Sequence, residues 1–324
     1  MRATLPRRHW LGLGAGLAAA GVARFARANA PEAPSAPPTV SPGKPRDTAE
    51  VAREAGFDLL DLKVGGAREL ARRAFVLVPR DVPAGSRLPM LILLHGLGET
   101  TSEDAGVRAW IDRYGLVSSY ARLTRPPVAP TTSRGDLTAD RAREINAELG
   151  KRPYDGKIVL VCPFTPNVWR TPDPRQSLDR YAAWLTDSLL PEVTAKTPVD
   201  SSPARTGLDG CSLGGFVGLE VFLRKPQRFG AWGGVQSALG EAAAPSYASR
   251  LAAALSQAGT RRLHVETSTG DPFCKANVAL SRELEKKGVA HDRAVLPGPH
   301  DQPFLREVGT LEMLLWHDRA LSGS

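Results

Sequence analysis

Cysteine is scarce in this chain of 324 residues: there are three, Cys162, Cys211 and Cys274, far apart and in no C-x-x-C pattern. No H-E-x-x-H occurs either, so the spacings that hold a catalytic or structural metal are missing and metal catalysis is not expected. Two readings of the cysteines stand. They are small buried apolar side chains, the preferred reading, or Cys162 and Cys274 form one disulfide in an oxidising compartment. Beyond the first thirty residues no dense Lys/Arg run is interleaved with aromatics, which excludes a nucleic-acid footprint. The formal net charge of +8 misleads here. Arg2, Arg7, Arg8, Arg24 and Arg27 fall in the first thirty residues, which hold no acidic side chain, and the remainder carries 37 basic against 34 acidic groups. No internal repeat is present.

The N-terminal region lacks a run long enough to span a bilayer: residues 12–23 are apolar and mostly small, but too few. Preceded by Arg7-Arg8-His9-Trp10-Leu11 and followed by Ala28-Asn29-Ala30, they look like a twin-arginine-type export signal with a small-residue cleavage site. The expectation is a signal peptide over 1–30 and a periplasmic or secreted product that meets the membrane only through this signal; a retained anchor is the alternative. The spaced glycines Gly12, Gly14 and Gly16 follow no strand, which argues against a nucleotide loop. Residues 31–55 read as a linker, since six prolines fall between Pro31 and Pro45. One α/β domain is expected over 56–324.

Strand signals lie at 57–64, 74–78, 90–94, 158–161, 205–209, 231–235, 263–267 and 293–296. Helical signals lie at 177–196, 213–225, 246–258, 275–287 and 302–321. Such alternation predicts a mostly parallel twisted sheet of about eight strands with helices on both faces, with ligands beyond the strand C-termini. Two segments modify that plan. Residues 98–156 are longer than the connection requires, with a turn-rich stretch at 125–136 and helical composition at 139–149, whereas 237–245 is too short for a large cap domain.

Gly210-Cys211-Ser212-Leu213-Gly214 is a G-x-S-x-G pentapeptide between an expected strand and an expected helix, the context of a nucleophile elbow. Ser212 then stands at a helix start, where the Leu213 N–H can face an oxyanion. The bland alternative for Ser212 is a helix N-cap. Downstream, one strand runs into Asp271 and another into His300, giving the chain order Ser, Asp, His. The rivals fit less well: His264, Glu266, His291 and Asp292 fall at strand positions, His317 in the last helix, and Asp301 beside its own histidine. Upstream, the apolar run 88–94 ends in His95-Gly96-Leu97-Gly98, where Leu97 is the expected second oxyanion donor and His95 a loop brace.

The stretches LILLHGLG, LTDSLLPEV, GCSLGG, KPQRFGAWGGVQSA, STGDPF and LPGPHD together resemble the esterase D-like branch of the α/β-hydrolase superfamily, which includes feruloyl esterases, enterobactin esterases and mycolyltransferases. The resemblance runs from about Phe57 to the C-terminus. Cys211 departs from it, standing where many relatives carry a larger or more polar residue. It implies an α/β-hydrolase fold without a large cap, and a serine esterase using Ser212, His300 and Asp271 on a small-molecule or polymer-linked ester, with no cofactor. An acyltransferase or peptidase using the same three residues, or a silent hydrolase-like binding protein, is the alternative.

Overall fold

A computed structural model describes residues 47–66 and 70–322 of the chain. The expected signal peptide and its arginine pair lie outside the described residues. Elements follow in the order α1 (Thr48–Glu54), β1 (Phe57–Lys63), β2 (Arg73–Pro79), β3 (Met90–Leu94), α2 (Glu103–Asp112), α3 (Leu116–Thr124), α4 (Ala139–Lys151) and β4 (Val159–Pro163). Then come α5 (Pro174–Ala183), α6 (Leu190–Lys196), β5 (Thr206–Gly210), α7 (Leu213–Arg224), β6 (Ala231–Val235), α8 (Ala244–Ala258), β7 (Arg262–Gly270), α9 (Cys274–Lys286), β8 (Asp292–Pro299) and α10 (Thr310–Leu321).

The eight strands form one sheet in the order β1-β2-β4-β3-β5-β6-β7-β8. β2 runs antiparallel to both neighbours, and every other pairing is parallel. Sheet position explains strand composition. β3, β4, β5 and β6 are buried along their whole length, so they carry no polar alternation. β1 at one edge is fully buried only at Phe57 and Leu62, and β8 at the other is largely exposed, with Val295 43% exposed and Pro297 and Pro299 lacking an N–H.

Two apolar layers flank the sheet. One is built by α5, α6, α7, α8 and α9 through residues such as Tyr181, Val193, Val217, Leu251 and Leu280. The other is built by α1, α2, α3, α4 and α10 through residues such as Ala52, Trp110, Leu123, Ile145 and Leu314.

Each strand signal is met by a strand, with differences at the ends. β7 and β8 run on to Gly270 and Pro299, which pair beyond a register shift, so Asp271 and His300 each follow directly on a strand end. The helix expected over 177–196 starts earlier, at Pro174, because Asp173 accepts from the Gln176 N–H as its N-cap. It loosens into a π-helical turn at Trp184–Leu189 before Pro191, which has no N–H to continue the α pattern. The helix expected over 302–321 has a π-helical turn at Leu305–Gly309 before α10.

Residues 48–54, assigned above to the linker, form α1, and Thr48 and Ala52 are buried. The segment 98–156 contains α2 and α3 besides the expected α4. They are short, and Gly115 at φ 74° separates them, so neither shows a long periodic stretch in sequence. All three cysteines are free; Cys162 and Cys211 are buried and Cys274 is half-buried, which removes the disulfide reading.

Candidate active site

The elbow is built by steric exclusion. Ser212 has φ 55° and ψ −117°, in a region that L residues rarely enter. A Cβ on Gly214 would overlap the Leu94 carbonyl, so α7 approaches β3 this closely only because a glycine stands there. Backbone bonds fix the turn from outside: Ser212 N–H donates to Val235 O at 3.0 Å, and Ala238 N–H donates to Ser212 O at 2.9 Å. Ser212 is not a side-chain N-cap; its hydroxyl makes no capping bond to α7.

His300 Nε2 lies 3.0 Å from Ser212 Oγ, and His300 Nδ1 lies 2.9 Å from Asp271 Oδ1. Asp271 is buried and accepts further bonds from the Phe273 N–H at 2.9 Å and the Thr267 hydroxyl at 2.7 Å. An ionised carboxylate only accepts, so the Nδ1 nitrogen carries the proton and Nε2 is left to accept from the serine. The His300 side chain remains 25% exposed, so the group opens to solvent. Chemically, such a chain can take a proton from Ser212 and hold the resulting imidazolium against Asp271.

The loop after β3 faces the same place. Gly96 N–H is occupied by Tyr114 Oη at 3.2 Å, and the Tyr114 hydroxyl in turn donates to the buried Glu99. Gln302 Nε2 also donates to Glu99, at 3.0 Å, which ties this loop to the chain just past His300. Among the described residues, neither the Leu97 N–H nor the Leu213 N–H has a protein acceptor, whereas Gly96 is spent. Leu97 itself is 48% exposed.

His95 accepts from the Thr165 N–H through Nε2 at 2.8 Å, so its Nδ1–H donates to Gly96 O at 2.8 Å. Burial pushes its pKa down to about 4 and keeps it neutral. It braces the loop.

The rival histidines are engaged elsewhere. His264 stacks on Trp316 with ring centres 4.9 Å apart. His291 sits between Ser281 Oγ at 2.6 Å and Val289 O at 2.9 Å. His317 pairs with Asp209 at 2.8 Å, both fully buried. Asp301 caps the turn after His300 through the Phe304 N–H and receives Arg134 on both oxygens at 3.0 Å.

The structure brings together the three side chains singled out in the sequence, Ser212, His300 and Asp271, and surrounds them with Thr267, Tyr114, Glu99, Arg134 and Gln236, which sequence reasoning missed. Gln236 falls within the stretch KPQRFGAWGGVQSA but nothing there marks it for a role, and the other four stand in no motif. The excess length of 98–156 was the one signal that pointed toward Tyr114 and Arg134.

The sheet order, the single antiparallel strand, the serine elbow after β5 and the short β6–α8 connection define an α/β-hydrolase fold. Solved structures agree. A ferulic acid esterase matches with a TM-score of 0.57 at 15% identity, over 82% of this chain and 99% of that one. An S-formylglutathione hydrolase from Staphylococcus aureus matches with a TM-score of 0.53 at 14% identity, over 81% and 96%. A ferric enterobactin esterase from Salmonella typhimurium matches with a TM-score of 0.50 at 20% identity, over 80% of this chain and 57% of that one. No protein-family model matches the sequence, and neither does any curated protein.

Proposed function

We propose that the chain is an exported serine hydrolase of carboxylic esters, with Ser212 as nucleophile, His300 as general base and Asp271 as the residue that orients and stabilises the imidazolium. The observation that carries this reading is His300 bridging Ser212 Oγ and Asp271 Oδ1 at 3.0 and 2.9 Å. His300 takes the serine proton as Oγ adds to the ester carbonyl. The N–H groups of Leu213 and Leu97 hold the oxyanion, each worth about 3 to 4 kcal/mol. Collapse expels the alcohol with the proton from His300, and water resolves the acyl-enzyme by the same route. No step calls for a cofactor. The short 236–243 connection and the exposure of His300 suit a bulky or polymer-linked ester as well as a small one. The likeness to a ferulic acid esterase, an S-formylglutathione hydrolase and a ferric enterobactin esterase supports the reaction class.

Purified protein is expected to hydrolyse short-chain p-nitrophenyl esters and to be labelled by a fluorophosphonate probe. Ser212→Ala should abolish labelling and lower kcat by about a thousandfold or more. An active Ser212→Ala variant would falsify the assignment. The same assay on cell fractions tests export: activity should leave the periplasmic fraction when Arg7 and Arg8 are both replaced by Lys.

A further inference from the structure

Gln236 is the one residue besides Ser212 that, among the described non-glycine residues, adopts a positive φ, here 50°. It follows β6 directly, at the level of the elbow, and it is buried. Nothing in its immediate sequence asks for a left-handed glutamine, and an L residue keeps such a strained conformation only where its surroundings enforce it.

The surroundings are specific. The Gln236 N–H donates to Glu266 O on β7 at 2.7 Å. Its side-chain Nε2 donates to Ser268 Oγ at 2.6 Å and to Pro299 O at 3.0 Å. Ser268 Oγ lies 3.5 Å from the same Pro299 carbonyl. A carbonyl oxygen only accepts, so the amide must present its nitrogen to Pro299. Pro299 is the residue before His300, and its ring leaves it with a carbonyl to accept but no N–H of its own to donate.

The residues around Gln236 hold the nucleophile as well. Val235 O receives the Ser212 N–H, and the Ala238 N–H donates to Ser212 O. Residues 235–238 therefore contact the elbow through backbone, while the one side chain of Gln236 reaches the turn that carries the base.

We infer that Gln236 is a positioning residue that sets the Ser212–His300 distance by coupling the elbow to the Pro299–His300 peptide. Its left-handed backbone aims the amide at that carbonyl while keeping the bond to β7. The inference rests on the proposed hydrolase mechanism.

The test separates this role from support of the fold. Gln236→Gly relieves the backbone strain but removes a buried amide and its hydrogen bonds, two opposing effects on stability, so the melting temperature is read beside kcat. In the same variant kcat on a p-nitrophenyl ester should fall about 10- to 100-fold with KM within about twofold, because a sub-ångström to one-ångström drift of a reacting group has that effect. Fluorophosphonate labelling should slow in parallel. Gln236→Glu, which keeps the shape and turns a carboxylate oxygen toward Pro299 O, should lose at least as much kcat. Wild-type labelling together with unchanged kcat in Gln236→Gly would overturn the positioning role and leave the esterase reading intact. A kcat that falls only in step with melting temperature would also overturn it. Absence of labelling in wild type would sink both.

Discussion

At the scale of single residues, the candidate site is defined by a few side chains that are denied alternatives. Ser212 is held at positive φ between two backbone bonds, His300 has its tautomer set by a buried carboxylate, and Asp271 has its other acceptor positions filled by Thr267 and the Phe273 N–H. Groups so interlocked act as a unit. His300→Ala should therefore reduce kcat about as much as Ser212→Ala, and the double variant should be scarcely worse than either. His291→Ala, remote on Ser281 and Val289, should change kcat by less than about threefold on the same ester. A crippling His291→Ala with a mild His300→Ala would overturn the assignment of the base. These side chains could be picked out in the sequence because each stands shortly after an expected strand, in an order that chain connectivity preserves. Their supports could not, since a hydroxyl or an amide acquires its meaning from a partner that only folding supplies.

Among elements, β7 carries two titratable side chains of opposite behaviour, His264 and Glu266, two residues apart and so on one face of the strand. Burial, followed by the nearby His317, lowers the His264 pKa from 6.5 to about 3. Its contribution to stability is complete above pH 6.5 and is lost as pH falls toward 3. Glu266 is raised well above 4.5, first by burial and then by Glu312 and Asp209, and neither carboxyl oxygen has a partner among the described residues. The sign reverses: the native chain holds a proton the unfolded chain releases, so stability is complete below pH 4.5 and declines as pH rises above it. Glu266→Gln should raise the urea midpoint at pH 8, with the gain shrinking toward pH 4.5. His264→Phe, which keeps a ring on Trp316, should lose less stability than wild type on going from pH 6.5 to 4. Parallel pH profiles for all three proteins would refute both assignments. In sequence β7 was legible as a strand from its apolar residues, but its last three residues were not, because the pairing of Gly270 with Pro299 depends on β8.

Across the whole molecule, the segment 98–156 acts on the site from the far side of the chain. Arg134 joins Asp136 through Nε at 2.8 Å and Asp301 through Nη2 at 3.0 Å, across a separation of 167 residues in the second case. Asp136 abuts Gly298, so the turn bearing His300 is gripped on one side by this loop and on the other by Gln236. Arg134→Ala is expected to lower kcat roughly tenfold, and Arg134→Lys to restore little, because a point ammonium cannot span two carboxylates as the guanidinium does. Full activity in Arg134→Ala would show the loop to be a bystander. The layer architecture and the mostly parallel sheet could be foreseen from alternation, whereas the order of the strands and this clamp could not: the clamp's partners share no motif and meet only when 134 and 301 are brought together. The blunt edge of the sheet has a consequence for crowding. β8 ends in prolines that offer no donor to an incoming strand and begins with Asp292 and Arg293, so extension of the sheet at this edge is disfavoured. Strand addition at this edge is therefore no route to self-association, and the proposed p-nitrophenyl esterase activity is expected to rise in proportion to protein concentration.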